Sequence, residues 1–213
     1  MRRLYWRVCY LLALAVAVKR SKCLRLSQEQ LTNITASGNS FVFYSDDAIV
    51  TTVSASALAQ ESSLYLQNNS LTSIPVSFFQ AANNATYIDI SNNPLTKLET
   101  QSFVNMKNLQ TILCTNTDIT VLPNGLVSSC PLLQTLSFNH SAIRTVGSQT
   151  FVNLTALHTL DLSYNDLQSV PSALFAVSSS WKTLDFSHNG ILDVPSGVQN
   201  AVAEGYMYDQ YPI

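Results

Sequence analysis

The sequence predicts an α/β solenoid, in which short parallel strands from successive coils stack into one sheet. Three observations carry that prediction. Apolar residues recur every 24 positions over most of the chain. Charge is scarce, with 11% Asp, Glu, Lys and Arg against about 25% in an ordinary soluble domain. Uncharged polar residues fill the gap, since Ser (27), Thr (18) and Asn (17) make up 62 of the 213 residues. At 46% apolar content the chain has the means to bury a core, and its length suits one domain or one solenoid.

The register starts at Glu61, and positions are counted here as places one to twenty-four of each copy. Place four reads Leu64, Ile88, Ile112, Leu136, Leu160, Leu184, and place six reads Leu66, Ile90, Cys114, Phe138, Leu162, Phe186. Place eleven reads Leu71, Leu95, Ile119, Ile143, Leu167, Ile191, and place fourteen Ile74, Leu98, Leu122, Val146, Val170, Val194. At this apolar background a fixed register would show 24 such residues by chance about once in 10^8. Places four and six alternate, as a strand with one buried face does. Stacked copies pair such strands about 4.8 Å apart, giving a parallel sheet of six strands. Place nineteen is mostly Phe (Phe79, Phe103, Phe151, Phe175), which fills the side of the core opposite the sheet.

Place nine reads Asn69, Asn93, Thr117, Ser141, Asn165, Asn189. A buried amide where the chain leaves the strand can bond the backbone of its own and the adjacent coil. A structural ladder is therefore expected at Asn69, Asn93, Asn165 and Asn189, weaker at the shorter Thr117 and Ser141. Upstream, Phe41, Phe43, Ala48 and Ile49 indicate a degenerate first coil about one repeat before Leu64. The organisation read from the sequence is a leader over 1–17, a cap and degenerate repeat over 18–60, six repeats over 61–204 and a tail over 205–213.

These copies resemble the leucine-rich repeat family in its 24-residue form, L-x-x-L-x-L-x-x-N-x-L-x-x-L-P-x-x-x-F, with Pro75, Pro123, Pro171 and Pro195 at place fifteen. The resemblance covers about 61–204. It implies a right-handed coil with a concave parallel sheet and an irregular or short-helical convex side. It also implies ligand binding on the concave face and no catalysis. Extracellular members often carry a Cys-bearing N-terminal cap; here only Cys23 is available, which argues against a disulfide-closed one.

The N-terminus reads as an address. Arg2, Arg3 and Arg7 precede an apolar run from Val8 to Val18, too short to span a bilayer comfortably, and Ala15-Val16-Ala17 supplies a cleavage site after Ala17. The expected product is secreted or extracellular. Lys19, Arg20, Lys22 and Arg25 beyond the run leave the alternative of an uncleaved membrane anchor. Secretion gives meaning to the Asn-x-Ser/Thr sites at Asn33, Asn68, Asn84, Asn139 and Asn153, of which at least two are expected to carry glycan in a eukaryotic source. Cys9 leaves with the leader; Cys114 and Cys130 fall on core places, where buried thiols are expected rather than a disulfide.

The outward residues of the strand side form the candidate site. Asp89, Asp161 and Asp185 occupy place five, His140, Tyr164 and His188 place eight, Tyr87 place three and His158 place two. All three His fall on this face. The last two copies, with His158, Asp161, Tyr164, Asp185 and His188, form the preferred patch, because glycan on Asn68 or Asn139 would screen earlier strands. Tyr offers amphipathic contact area at low entropy cost. The patch predicts a protein or peptide ligand, basic or hydroxyl-rich. His140 and His188, two strands apart at about 10 Å, are too distant to share an ion without distortion, so no metal and no cofactor are expected. No P-loop, Gly-rich nucleotide turn, Ser-His-Asp order or paired-carboxylate cleft is present. From Leu26 onward only Lys97, Lys107, Arg144 and Lys182 oppose thirteen acids, a body charge near −9 that argues against nucleic acid. Alternatives within the binding class are an inhibitor or decoy of a foreign secreted enzyme and the ectodomain of a longer receptor. Oligomeric state is not legible.

Overall fold

The computed structural model describes residues 23–25, 31–45, 48–170, 174 and 181–192. The leader, the tail, Phe175, Val194 and the prolines at 171 and 195 lie outside them. The chain is a solenoid in which each coil contributes one strand to a main sheet. The strands are β1 (Cys23–Arg25), β5 (Ser63–Tyr65), β6 (Tyr87–Asp89), β7 (Thr111–Leu113), β9 (Thr135–Ser137), β11 (Thr159–Asp161) and β12 (Thr183–Asp185), in a seven-stranded sheet. Every pairing is parallel and in register, such as Leu64↔Ile88 and Leu160↔Leu184. From β5 onward each strand covers places three to five of the 24-residue copy. Places four, six and eleven are buried throughout (Leu64, Leu66 and Leu71, through Leu184, Phe186 and Ile191). The sheet exists because one face of each strand is apolar and the copies repeat its length without slippage.

The opposite side is irregular. It contains α2 (Val76–Ala81) in the first full copy and a two-stranded parallel pairing of β8 (Val121–Leu122) with β10 (Thr145–Val146). Elsewhere short turns return the chain to the next strand, with Phe103, Val127 and Phe151 buried beneath them. Cys114 and Cys130 are buried and unpaired, and burial pushes the Cys130 thiol up to about 12, so neither is a nucleophile at neutral pH.

The N-terminal region corrects one expectation. The strand ahead of β5 is Cys23–Arg25, paired Cys23↔Ser63, and not a segment near Phe41 or Ile49. Residues 33–54 instead form an antiparallel meander of β2 (Asn33–Ser37), β3 (Ser40–Ser45) and β4 (Ala48–Ser54), followed by α1 (Ala55–Leu58). Gly38, at φ +58°, makes the tight β2–β3 turn. Alternation in Phe41-Val42-Phe43 suits either arrangement, because period two does not distinguish the two kinds of sheet. Ile34, Phe41 and Phe43 face the core, whereas Ile49 is 66% exposed. Phe41 and Phe43 pack edge-on against Phe78 of α2, with ring centroids 5.4 and 5.8 Å away. Phe78 meets Phe79, which meets Phe103 at 4.9 Å, so a phenylalanine seam joins the meander to the first coils. Such contacts contribute roughly 0.5–1.5 kcal/mol each beyond burial.

Polar satisfaction of the coil falls to place nine. The Asn93 amide nitrogen donates to the carbonyls of Leu66, Ile90 and Ser91, and its oxygen accepts from the Leu71 N–H. Asn165 and Asn189 repeat the pattern in the last two copies of the described sheet. Asn69 ties the cap to the coils by accepting from the Leu31 N–H. At the two shorter residues the amide network is replaced by one hydroxyl pair, Thr117 to Ser141 at 2.9 Å. Replacing Asn93 by Ala strips the Ile90 carbonyl and the Leu71 N–H of their partner, while the Leu66 and Ser91 carbonyls keep Asn69 Nδ2 and the Asn68 N–H. The expected loss is about 3 kcal/mol, read as a lowered urea midpoint with an unchanged slope.

Glu61 breaks the pattern at place one, where later copies carry Ala85, Leu109, Leu133, Leu157 and Trp181. It is 2% exposed, and its Oε2 has no partner among the described residues. Burial raises its pKa above 4.5. A folded pKa above the unfolded one means the carboxylate is tolerated when protonated, and stability falls as pH rises through that interval. Glu61→Leu should therefore stabilise the fold by about 1 kcal/mol at neutral pH, a rise of roughly 2–4 °C in Tm. The gain should shrink toward about pH 4; thermal melts at both values check it.

Candidate functional site

The concave sheet and the turn beyond it position the candidate residues. The backbone N–H of the first five place-eight residues bonds the place-seven carbonyl of the next coil: Asn68 to Ser91, Asn92 to Thr115, Asn116 to Asn139, His140 to Ser163, Tyr164 to Ser187. All six place-eight residues adopt a left-handed conformation, with φ between 51° and 60° (Asn68, Asn92, Asn116, His140, Tyr164, His188). Asn tolerates that region best among residues with a side chain, whereas His and Tyr enter it at a cost of about 1 kcal/mol or more. The combination aligns the six side chains in one exposed column along the rim of the sheet.

That column has two halves. In the first, Asn116 Nδ2 donates to Asn92 Oδ1 and Asn92 Nδ2 donates to Asn68 Oδ1, a solvent-facing amide ladder. In the second, the imidazoles of His140 and His188 sandwich the Tyr164 ring. Centroids lie 4.1 and 4.0 Å apart, with planes tilted by 13° and 17°. Tyr164 is still 45% exposed, so the stack presents its ring edges and the phenol to solvent as a ridge.

The place-five acids lie beside this ridge and have a second task. Asp89, Asp161 and Asp185 each accept, through Oδ1, the backbone N–H two residues on (Ser91, Ser163, Ser187). Asp161 accepts further from the Ser163 hydroxyl at 2.7 Å and, through Oδ2, from Asn139 Nδ2. Both oxygens of Asp161 are thus engaged, whereas Asp185 Oδ2 has no hydrogen-bond donor among the described residues. Register sets Asp161 opposite Asp185 on paired strands, two like charges that favour a cation between or above them.

The remaining candidates lie apart. His158, at place two, is at the opposite end of the strand from the stack. Its Nδ1 is 3.0 Å from Thr159 Oγ1 and its Nε2 3.4 Å from Lys182 Nζ. Burial, then the Lys182 charge, lowers its pKa and favours the neutral ring. Tyr87 tilts against Tyr65 at 5.1 Å near the N-terminal end, and burial, followed by the Asp89 charge, raises its phenol pKa. Of the preferred patch, the fold therefore joins Asp161, Tyr164, Asp185 and His188, adds His140, and leaves out His158. Reasoning from strand alternation missed the left-handed turn. The run of Asn at place eight in the first three copies carried that signal. Among the described residues no three His, Cys, Asp or Glu converge as metal ligands.

The sequons also differ in their surroundings. Asn33, Asn68, Asn84 and Asn153 are exposed, whereas Asn139 is half-buried beside Asp161. Asp161→Ala should cost about 2 kcal/mol and Asp185→Ala about half that, because only the former empties two oxygens' worth of bonds. Denaturant titrations of the two variants give the comparison.

Comparison with known proteins agrees with this architecture. The family model for leucine rich repeats matches residues 62–119 and 112–167. No match was found among curated protein sequences. Among solved structures, a leucine-rich repeat protein of Leptospira interrogans superposes with a TM-score of 0.61 and 18% identity, over 73% of this chain and 38% of that one. The structure of the Drosophila Toll–Spatzle complex gives 0.56 and 23%, over 62% and 22%. The TLR13–ssRNA13 complex gives 0.51 and 25%, over 64% and 23%. The chain thus spans between about a fifth and two fifths of the structures it resembles. Repeated strand, buried register and family match lead to one conclusion: the chain belongs to the leucine-rich repeat family.

Proposed function

We propose that this chain is a secreted or cell-surface recognition module that binds a protein or peptide on its concave face, without catalysis. The observation that carries this reading is the exposed His140–Tyr164–His188 stack set beside Asp161 and Asp185. A rigid aromatic ridge next to carboxylates supplies contact area with little ordering cost and favours basic or hydroxyl-bearing groups. The sheet is open and curved over the described residues, a shape suited to docking a partner rather than enclosing a small substrate. Secretion is supported by the basic, apolar and small-residue order of the first seventeen positions. None of the described helices is long and apolar enough to cross a membrane.

The family scaffold leaves the ligand class open, since one similar structure is a complex with Spatzle and another with single-stranded RNA. Against a polyanion stands the acid excess of the body, four cations to thirteen acids from Leu26 onward. An inhibitor of a foreign enzyme and the outer part of a receptor would use the same face; the identity of the captured partner separates them. Affinity capture with the secreted product, read by mass spectrometry, should return a protein that survives nuclease treatment. Tyr164→Ala should weaken its binding at least about tenfold, or about 1.4 kcal/mol. Leu132→Ala, at an exposed turn position ahead of β9, should leave it unchanged. Capture abolished by nuclease, or equal affinity for Tyr164→Ala, contradicts the reading.

A further inference from the structure

Five Asn-x-Ser/Thr triplets occur in the described residues, and their side-chain nitrogens are not equivalent. We infer that Asn33, Asn68 and Asn153 are the N-glycan acceptors of the mature protein, and that the fold excludes glycan from Asn84 and Asn139. The inference rests on the secretion reading above.

The chemistry acts on one atom. Asn Nδ2 attacks C1 of a lipid-pyrophosphate-linked oligosaccharide. The N–C1 bond forms, the C1–O bond to pyrophosphate breaks, the lipid pyrophosphate leaves with that electron pair, and Nδ2 gives up one proton. Transfer takes place on extended chain, so the folded coil acts afterwards as a filter: it accommodates a sugar where Nδ2 is free and exposed. Asn33 lies exposed on the edge strand of the meander, and Asn153 exposed on a left-handed turn at φ 65°. Neither side chain has a hydrogen-bond partner among the described residues. Asn68 engages only its oxygen, which accepts from Asn92 Nδ2 and can go on doing so with a sugar on the nitrogen.

Each of the other two nitrogens already commits one of its two hydrogens, and glycosylation would leave it only one. Asn84 Nδ2 donates to the Ala59 carbonyl at 2.7 Å, tying the first full copy to the end of α1. Asn139 is half-buried, and its Nδ2 donates to Asp161 Oδ2 at 2.5 Å on the concave side. A sugar there replaces an N–H and forces its bulk between two paired coils. Molecules carrying it fold poorly and drop out of the secreted pool. The consequence for recognition is spatial. Asn68 stands at the first end of the place-eight column, so its glycan lies at the far end from the His140–Tyr164–His188 stack, which stays bare.

The test is peptide mapping of protein secreted from eukaryotic cells, deglycosylated enzymatically in heavy-oxygen water so that each used Asn is marked as Asp. Two versions are compared: the full chain, and the full chain with its first 17 residues exchanged for an established secretion leader. Marks are expected at Asn33, Asn68 and Asn153 and at neither other site. A mark at Asn84 or Asn139, or an absent mark at any of the three with the exchanged leader, overturns the assignment. If only the chain with its own leader stays inside and unmarked, secretion fails while the assignment stands. Asp161→Ala, which frees Asn139 Nδ2, should bring a mark to Asn139 in secreted protein; continued absence refutes the filter. Should that variant be retained, Thr155→Ala destroys only the Asn153 triplet and must remove one glycan mass, and an unchanged mass refutes Asn153.

Discussion

A chain that coils every 24 residues must leave its strand at the same place each time. Doing so turns several carbonyls and an N–H inward where no water can reach them. The buried place-nine amide resolves this. Asn93 donates to three carbonyls, one belonging to the preceding coil, and accepts from one N–H of that coil. Leaving such groups unpaired costs about 1–3 kcal/mol each, more than the net worth of most single contacts. The apolar places provide the bulk of the driving force, but they tolerate many shapes. The amide ties neighbouring coils at a fixed offset and so keeps successive strands in register.

From that register the rest of the concave side follows. Once place nine is anchored, place eight is forced into the left-handed region, and its N–H is delivered to the next coil. Side chains at place eight then have one common direction and one common spacing. Amides so arranged form a ladder, and flat rings so arranged stack face to face. The His140–Tyr164–His188 ridge is thus a product of backbone geometry, with residue choice deciding only its chemistry. Entering the left-handed region with His and Tyr costs about 1 kcal/mol or more at each residue, where Asn or Gly would be cheaper. Two stacked contacts, roughly 0.5–1.5 kcal/mol each, offset part of that.

Much of the coil was legible because its cause is periodic. Leu64 to Leu184 at place four and Leu66 to Phe186 at place six repeat identical environments, and repetition reveals itself without a structure. The hydroxyl pair at Thr117 and Ser141 follows from their short side chains. Three features were hidden, each for a physical reason. The meander around Phe41 and Phe43 shares the period of two with a coil strand, and only long-range pairing distinguishes them. Strand β1 is three residues long and forty positions from its partner, so no 24-residue register points to it. The Asx bonds of Asp89, Asp161 and Asp185 depend on the turn that follows, which strand alternation does not foresee.

The dual use of those acids bears on how the surface evolved its chemistry. An Asp at place five caps its own turn by accepting the place-seven N–H, so folding alone can retain it. Tyr65, Leu113 and Ser137 occupy the same place in other copies, and strands β5, β7 and β9 form all the same. The cap is therefore helpful and dispensable. Two copies in succession carry Asp, setting like charges opposite each other on β11 and β12 beside the ring stack. Cross-strand repulsion makes that arrangement unfavourable in isolation. Asp161 relieves part of it through Asn139 and Ser163, but Asp185 keeps an oxygen with no protein donor among the described residues. A cationic group docking there would satisfy both that lone oxygen and the repulsion.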